Sequence, residues 1–140
     1  MTLGDLRTIA SGETVYASEN GGFFDTLDCL QRPAECIPGY GSERPTFLDR
    51  WTAASSRLGY ARRFHAGPAA PKEQIDARNL SPSSITAWAV VAIPAPRVRG
   101  RCESFCADST GRICSVADGS DPPIVEGLCG AGCANPWESP

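Results

Sequence analysis

The residues with the greatest chemical capacity in this sequence are its seven cysteines, Cys29, Cys36, Cys102, Cys106, Cys114, Cys129 and Cys133. Thiols at such density either ligate metal or close disulfides. Cys102-x-x-x-Cys106 and Cys129-x-x-x-Cys133 have the look of paired zinc ligands. Zinc knuckles more often use two-residue spacers, however, and His65 is the single histidine available as a nitrogen ligand. Disulfides are therefore the favoured chemistry, and they imply an oxidising compartment, a periplasm or the cell exterior. A secreted, cysteine-rich metal-binding module stands as a further alternative.

Other chemistry is sparse. A general base or a nucleophile–base pair would have to use His65, which lies beside Arg62 and Arg63 on a strand-like stretch and reads as a surface histidine. The sequence has no Gly-x-Ser-x-Gly, no His-Glu-x-x-His and no phosphate-binding glycine loop. The expectation is a protein that is not an enzyme, with no catalytic residue and no cofactor. The net charge of −3 and the lack of a basic run beyond Arg62-Arg63 and the Arg97/Arg99/Arg101 alternation speak against nucleic-acid binding.

These residues need elements to position them. The 140 residues fit one domain, and Pro 12 and Gly 14 favour short elements joined by irregular segments. Leu3, Leu6, Ile9, Ala10, Glu13, Tyr16 and Ala17 recur at three- and four-residue spacings and predict a helix over 3–18, at a cost of about 1 kcal/mol for Gly12 relative to Ala. Asn20-Gly21-Gly22 stops it, and Phe23 and Phe24 cover its end. Residues 21–57 form a connecting region with short helical turns near 26–30 and 47–51. Period-two alternation through Tyr60, Arg62 and Phe64 predicts a half-buried strand, and Ile85–Ile93 reads as a strand buried on both faces. Residues 72–84 read as loop.

The hairpin over 103–116 can be put in register. Asp108-Ser-Thr-Gly111 fits a type I turn with Gly111 in the left-handed bulge position, which pairs Asp108 with Arg112, Ala107 with Ile113 and Cys106 with Cys114. That register predicts a Cys106–Cys114 disulfide. The seven-residue separation around Arg32-Pro33 predicts Cys29–Cys36, and Cys102 is then left to join Cys129 or Cys133, with one thiol over. The tail, 117–140, reads as irregular and held by Cys129 and Cys133. Leu3, Leu6, Ile9, Ala10, Tyr16, Phe64, Trp88, Val90 and Phe105 are the predicted core; Trp51 and Trp137 are ambiguous between core and surface.

The helix ending in Leu6-Arg-Thr-Ile-Ala-Ser-Gly-Glu-Thr-Val-Tyr-Ala-Ser18, then a variable loop, then Gly59–Phe64, Ile85–Pro94 and Ser104–Ile113 with its Phe-x-x-Asp-x-Thr-Gly hairpin, together resemble the head of type IV pilins and type II secretion pseudopilins. The resemblance covers residues 3–116 and leaves the tail outside it. It implies an α+β, pilin-like fold: one N-terminal helix across a three- or four-stranded antiparallel sheet with disulfide-stabilised loops, spanning 1–140 as a single head. Within it, 1–20 would be the C-terminal half of the pilin helix, 21–57 the connecting loop, 58–116 the sheet and 117–140 the tail.

The implied function is structural: a subunit of an extracellular pilus or of a pseudopilus, partnered by other subunits. The alternative is a minor pseudopilin that recognises exported proteins or primes assembly. Leu3, Leu6, Ile9 and Ala10 would serve subunit packing. Asp118 and Asp121, near Glu126 in a Gly/Pro-rich loop, are the calcium candidates the resemblance suggests, against the simpler reading of a solvated acidic turn. The family's leader, processing site and apolar half-helix have no counterpart in these residues. The expectation is that the half-helix was trimmed or lies on a separate helix-bearing polypeptide, that membrane contact runs only through it, and that the head sits in the periplasm or in a filament at a bacterial cell surface.

Overall fold

The computed structural model describes residues 2–57, 59–96 and 102–134. Helix α1 spans Thr2–Glu19. Its apolar stripe follows from the spacing: Leu6, Ile9 and Tyr16 are fully buried, with Leu3 and Ala10 packed at the margin of the same cluster. Leu6 and Ile9, fully buried, each contribute about 1.5–3 kcal/mol by leaving water. The helix stops where Asn20, Gly21 and Gly22 predict: Gly21 and Gly22 take φ of 64° and 94°, and the Gly22 N–H returns to the Ala17 carbonyl at 2.8 Å.

The connecting region folds over one flank of α1. Helix α2 (Leu27–Gln31) is N-capped by Thr26, whose hydroxyl accepts from the Cys29 N–H, and a 3-10 turn follows at Pro33–Glu35. Helix α3 occupies Arg50–Ala53, three residues beyond the predicted start, because Asp49 caps it by accepting from the Thr52 N–H at 2.8 Å. Gly12 has a purpose that a propensity argument does not see. A Cβ there would meet the Phe47 carbonyl oxygen at 2.7 Å, so the glycine lets the connecting backbone lie against α1.

The sheet is an antiparallel meander in the order β1 (Ser56–Arg57), β2 (Tyr60–Ala66), β3 (Trp88–Pro94), β4 (Ser104–Asp108) and β5 (Ile113–Val116). Four strands are of ordinary length and β1 adds a two-residue edge. The architecture is thus α+β, with the N-terminal helix on the sheet and three disulfides. Strand β3 is buried along its whole length because both faces are covered. Trp88, Val90 and Ala92 face α1 and the connecting region; Ala89, Val91 and Ile93 face Cys106, Cys114, Cys129 and Cys133. Residues 72–84 depart from the loop expectation: α4 (Lys72–Arg78) forms there, with no buried residue, and ends on Asn79 in the left-handed conformation. The tail is also more regular than expected, with a small hairpin of β6 (Ile124–Val125) and β7 (Leu128–Cys129).

The β4–β5 register is the one the turn dictates, with Ala107 opposite Ile113 and Cys106 opposite Cys114, and Gly111 at φ 89°. The disulfides nonetheless require two corrections. Cys106 bonds Cys129 and Cys114 bonds Cys133, and Cys102 is a half-buried free thiol. Directly opposed cysteines send their Cβ–Sγ bonds off the sheet side by side, whereas a bridge wants its two Cβ–S bonds near a right angle. The tail lies over that face and offers each cysteine a partner from above. Cys102 sits before β4, away from that covering layer, and joins neither Cys129 nor Cys133. Cys29 bonds Cys36 across the α2 turn.

Candidate functional site

Two constellations organise the described residues, and both are made by α1 or the tail meeting the sheet. The first is a polar knot where α1 ends. Asp25, fully buried, accepts from the hydroxyls of Tyr16 (2.6 Å), Ser81 (2.5 Å) and Ser83 (2.6 Å) and from the Thr26 N–H (2.8 Å). Glu13, also fully buried, accepts the Asp25 N–H at 3.1 Å. Asn20 donates to the Ser84 hydroxyl and the Phe23 carbonyl and accepts the Ser81 N–H. The knot fastens the last turns of α1 to the 81–85 segment, where Ile85 bridges both Phe24 and Ala69. Desolvation, and secondarily the neighbouring Asp25 charge, push the Glu13 carboxyl up to about 9 against the pull of the Asp25 N–H. Burial, with Asp25 accepting its hydrogen bond, pushes the Tyr16 hydroxyl up as well.

The second constellation clamps the tail. Arg112, at the hairpin's closing pair, donates to the carbonyls of Cys129 (2.8 Å), Gly130 (3.3 Å) and Cys133 (2.5 Å). Asp108, across the turn, accepts the Cys129 N–H at 2.9 Å while its other oxygen holds the Thr110 N–H and hydroxyl. The two bridges then pin the same segment covalently, and Ser115 pairs with Ala134 along the β5 edge. The sulfurs of Cys106, Cys114 and Cys129 lie within 4.8 Å of one another, a spacing that would suit a soft metal, but all three are disulfide-bonded and have no thiolate to offer.

At the opposite end of α1, Arg62 reaches inward from β2, which the period-two pattern placed on the Phe64 face. It pairs with the buried Asp5 at 3.0 Å and donates to the Trp51 carbonyl at 2.9 Å. The same corner holds a cleft of about 140 Å³ between α3 and β2, lined by Ile9, Leu27, Ala53, Phe64 and Val90.

The remaining predicted positions resolve as follows. Leu6 and Ile9 are fully buried, and Leu3 and Ala10 are partly buried against the same cluster. They pack into the core of this domain, because the apolar stripe of α1 is the stripe that meets the sheet. Asp121 is ion-paired with Arg63 at 3.0 Å, and Asp118 accepts the Ser120 N–H at 2.9 Å. The two do not converge with a third carboxylate into a cluster of potential ligands among the described residues, so the geometry gives calcium no support. His65 lies half-buried on β2, with its pKa lowered by burial and by Arg63. Trp88 is core, at 1% exposure, with Phe24 edge-on to it; Trp51 is 62% exposed under the Arg50 guanidinium. Trp137 and the Arg97/Arg99/Arg101 run lie outside the described residues.

Three disulfides point to an oxidising, extracellular or periplasmic environment. Among the described residues no helix is long and apolar enough to cross a membrane. Searches of family models, characterised proteins and solved structures return no match to this chain.

Proposed function

We propose that this chain is the head of a filament subunit of the type IV pilin or pseudopilin kind, working by packing and not by catalysis. The observation that carries the reading is the two-sidedness of α1. One face is sunk into a meander sheet. The other, through Gly4, Arg7, Thr8, Ser11, Thr14, Val15, Ser18 and Glu19, is exposed, and apart from Arg7 and Glu19 its side chains are small. Thr8, Thr14 and Ser18 turn their hydroxyls back onto helix carbonyls at Gly4, Ala10 and Val15. That leaves between Arg7 and Glu19 a stretch of short side chains against which a second helix can pack. Subunit contacts therefore run through this outer stripe, and the residues first expected there, Leu3, Leu6, Ile9 and Ala10, hold the head together.

The clamped tail fits the same role. A head on a filament is exposed to shear and proteases, and bridges that seal the outer sheet face resist both. The reading requires an apolar helix leading into Leu3, on this chain or on a partner polypeptide. Substituting Ser11→Trp on the outer stripe tests it: the isolated head should fold unchanged, while assembly into sheared surface filaments should fail. Normal filaments from that variant would remove α1 from the subunit contact.

A further inference from the structure

Glu13 and Asp25 put two carboxyl groups in one buried pocket, and the packing role proposed above uses neither. Both side chains are fully buried. Hydrogen-bond counting tells them apart. Asp25 accepts four donors, two on each oxygen: Thr26 N–H and Ser83 hydroxyl on Oδ1, Tyr16 and Ser81 hydroxyls on Oδ2. That arrangement stabilises an anion. Glu13 accepts one donor, the Asp25 N–H on Oε1, and its Oε2 has no partner. A carboxylate in that position would be buried, under-solvated and next to a second negative charge, whereas the neutral acid escapes all but the cost of one unpaired hydroxyl.

The surroundings supply no countercharge. On α1 the facing polar groups are the Tyr16 hydroxyl and the Asn20 amide. From the 23–26 segment there is Asp25 itself. From α2 there is Cys29, locked in its disulfide and touching the Ser83 hydroxyl at 3.4 Å. The 81–84 segment brings only serine hydroxyls and backbone. Among the described residues no arginine, lysine or histidine of the sheet, the connecting region or α4 bonds to either carboxyl; the buried Arg62 is engaged with Asp5 at the far end of α1.

We propose that Glu13 and Asp25 hold one proton between them, carried by Glu13, and that this proton latches the C-terminal half of α1 to the 23–26 and 81–85 segments. When it leaves, two anions share the pocket, joined through the backbone of Asp25, and the repulsion falls on the segments that the knot joins to α1. The latch is a property of the head, whether or not the head assembles into a filament.

Carboxyl-carbon NMR on the whole protein, followed from about pH 5 to about pH 11, tests this directly, with the Ile85 methyl resonance read in the same samples. The expected result is one glutamate carboxyl, absent from Glu13→Gln, that titrates far above the rest, with the Ile85 methyl shifting at the same midpoint. A Glu13 carboxyl titrating in the ordinary range overturns the proposal. So does an Ile85 methyl indifferent to that titration, or one that shifts identically in Glu13→Gln. Should Glu13→Gln fail to fold, the wild-type titration with a Tyr16→Phe variant, expected to move the midpoint, decides the matter alone.

Discussion

Glu13 occupies a helical position that faces the sheet, where a hydrophobe would be the ordinary choice. Its carboxyl is raised from the ordinary value of 4.5 to about 9, so the folded chain keeps a proton that the unfolded chain releases. The stability linked to that proton is fully present below the unfolded value and is lost as pH rises toward about 9, at no more than about 1.4 kcal/mol per pH unit. Urea unfolding across a pH series should show the decline in wild type and a flatter, higher curve near neutrality for Glu13→Gln. A wild-type curve that climbs through the same window would contradict the assignment. Arg62 poses the opposite case, a buried charge with a partner. Arg62→Ala removes the charge partner of the buried Asp5 carboxylate and a donor from the Trp51 carbonyl, and should cost about 3–5 kcal/mol in a denaturant titration. A loss below about 0.5 kcal/mol would mean that Asp5 finds water or another donor.

Among the elements, Gly12 separates intrinsic propensity from packing. Alanine is the better helix former by about 1 kcal/mol, yet its methyl would strike the Phe47 carbonyl. Gly12→Ala should therefore destabilise, by about 1–3 kcal/mol, and thermal unfolding would register a lower midpoint; a higher midpoint would show the connecting backbone to be free to move. The hairpin was legible in the sequence because one dipeptide step, Thr110-Gly111, fixes the turn and the turn fixes the register. The helix was legible from its stripe. The Cys29–Cys36 bridge was legible from its short loop, but the pairing of the tail cysteines was not, because Cys106 and Cys114 are neighbours in register yet each is claimed by a tail whose path is set by Arg112 and Asp108, residues with no distinguishing pattern in the sequence. Helix α4 escaped because it buries nothing and so carries no apolar period. The polar knot escaped because Ser81, Ser83 and Ser84 look like loop serines until the fold sets them against Asp25. A Glu13 on an apolar face was the one available signal.

For the molecule as a whole, the two constellations sit on opposite sides of the sheet and lock its two covering layers, α1 by hydrogen bonds and the tail by covalent bridges. Three bridges and a free Cys102 predict a native mass about 6 Da below that of the reduced chain, with a single thiol open to alkylation. Peptide mapping should return Cys106 joined to Cys129 and Cys114 to Cys133, and removing either bridge should cost about 2–4 kcal/mol. Bound zinc with several free thiols would favour the metal-binding alternative. The filament reading adds that the exposed outer face of α1 meets another subunit. Mass spectrometry of sheared surface filaments from the producing cell tests that claim most directly. The account predicts this head in the filament material, with an N-methylated apolar helix leading into Leu3 or carried by a co-purifying short polypeptide. A mature chain that starts near Thr2 after ordinary secretion, absent from filaments and with no helix-bearing partner, would contradict it.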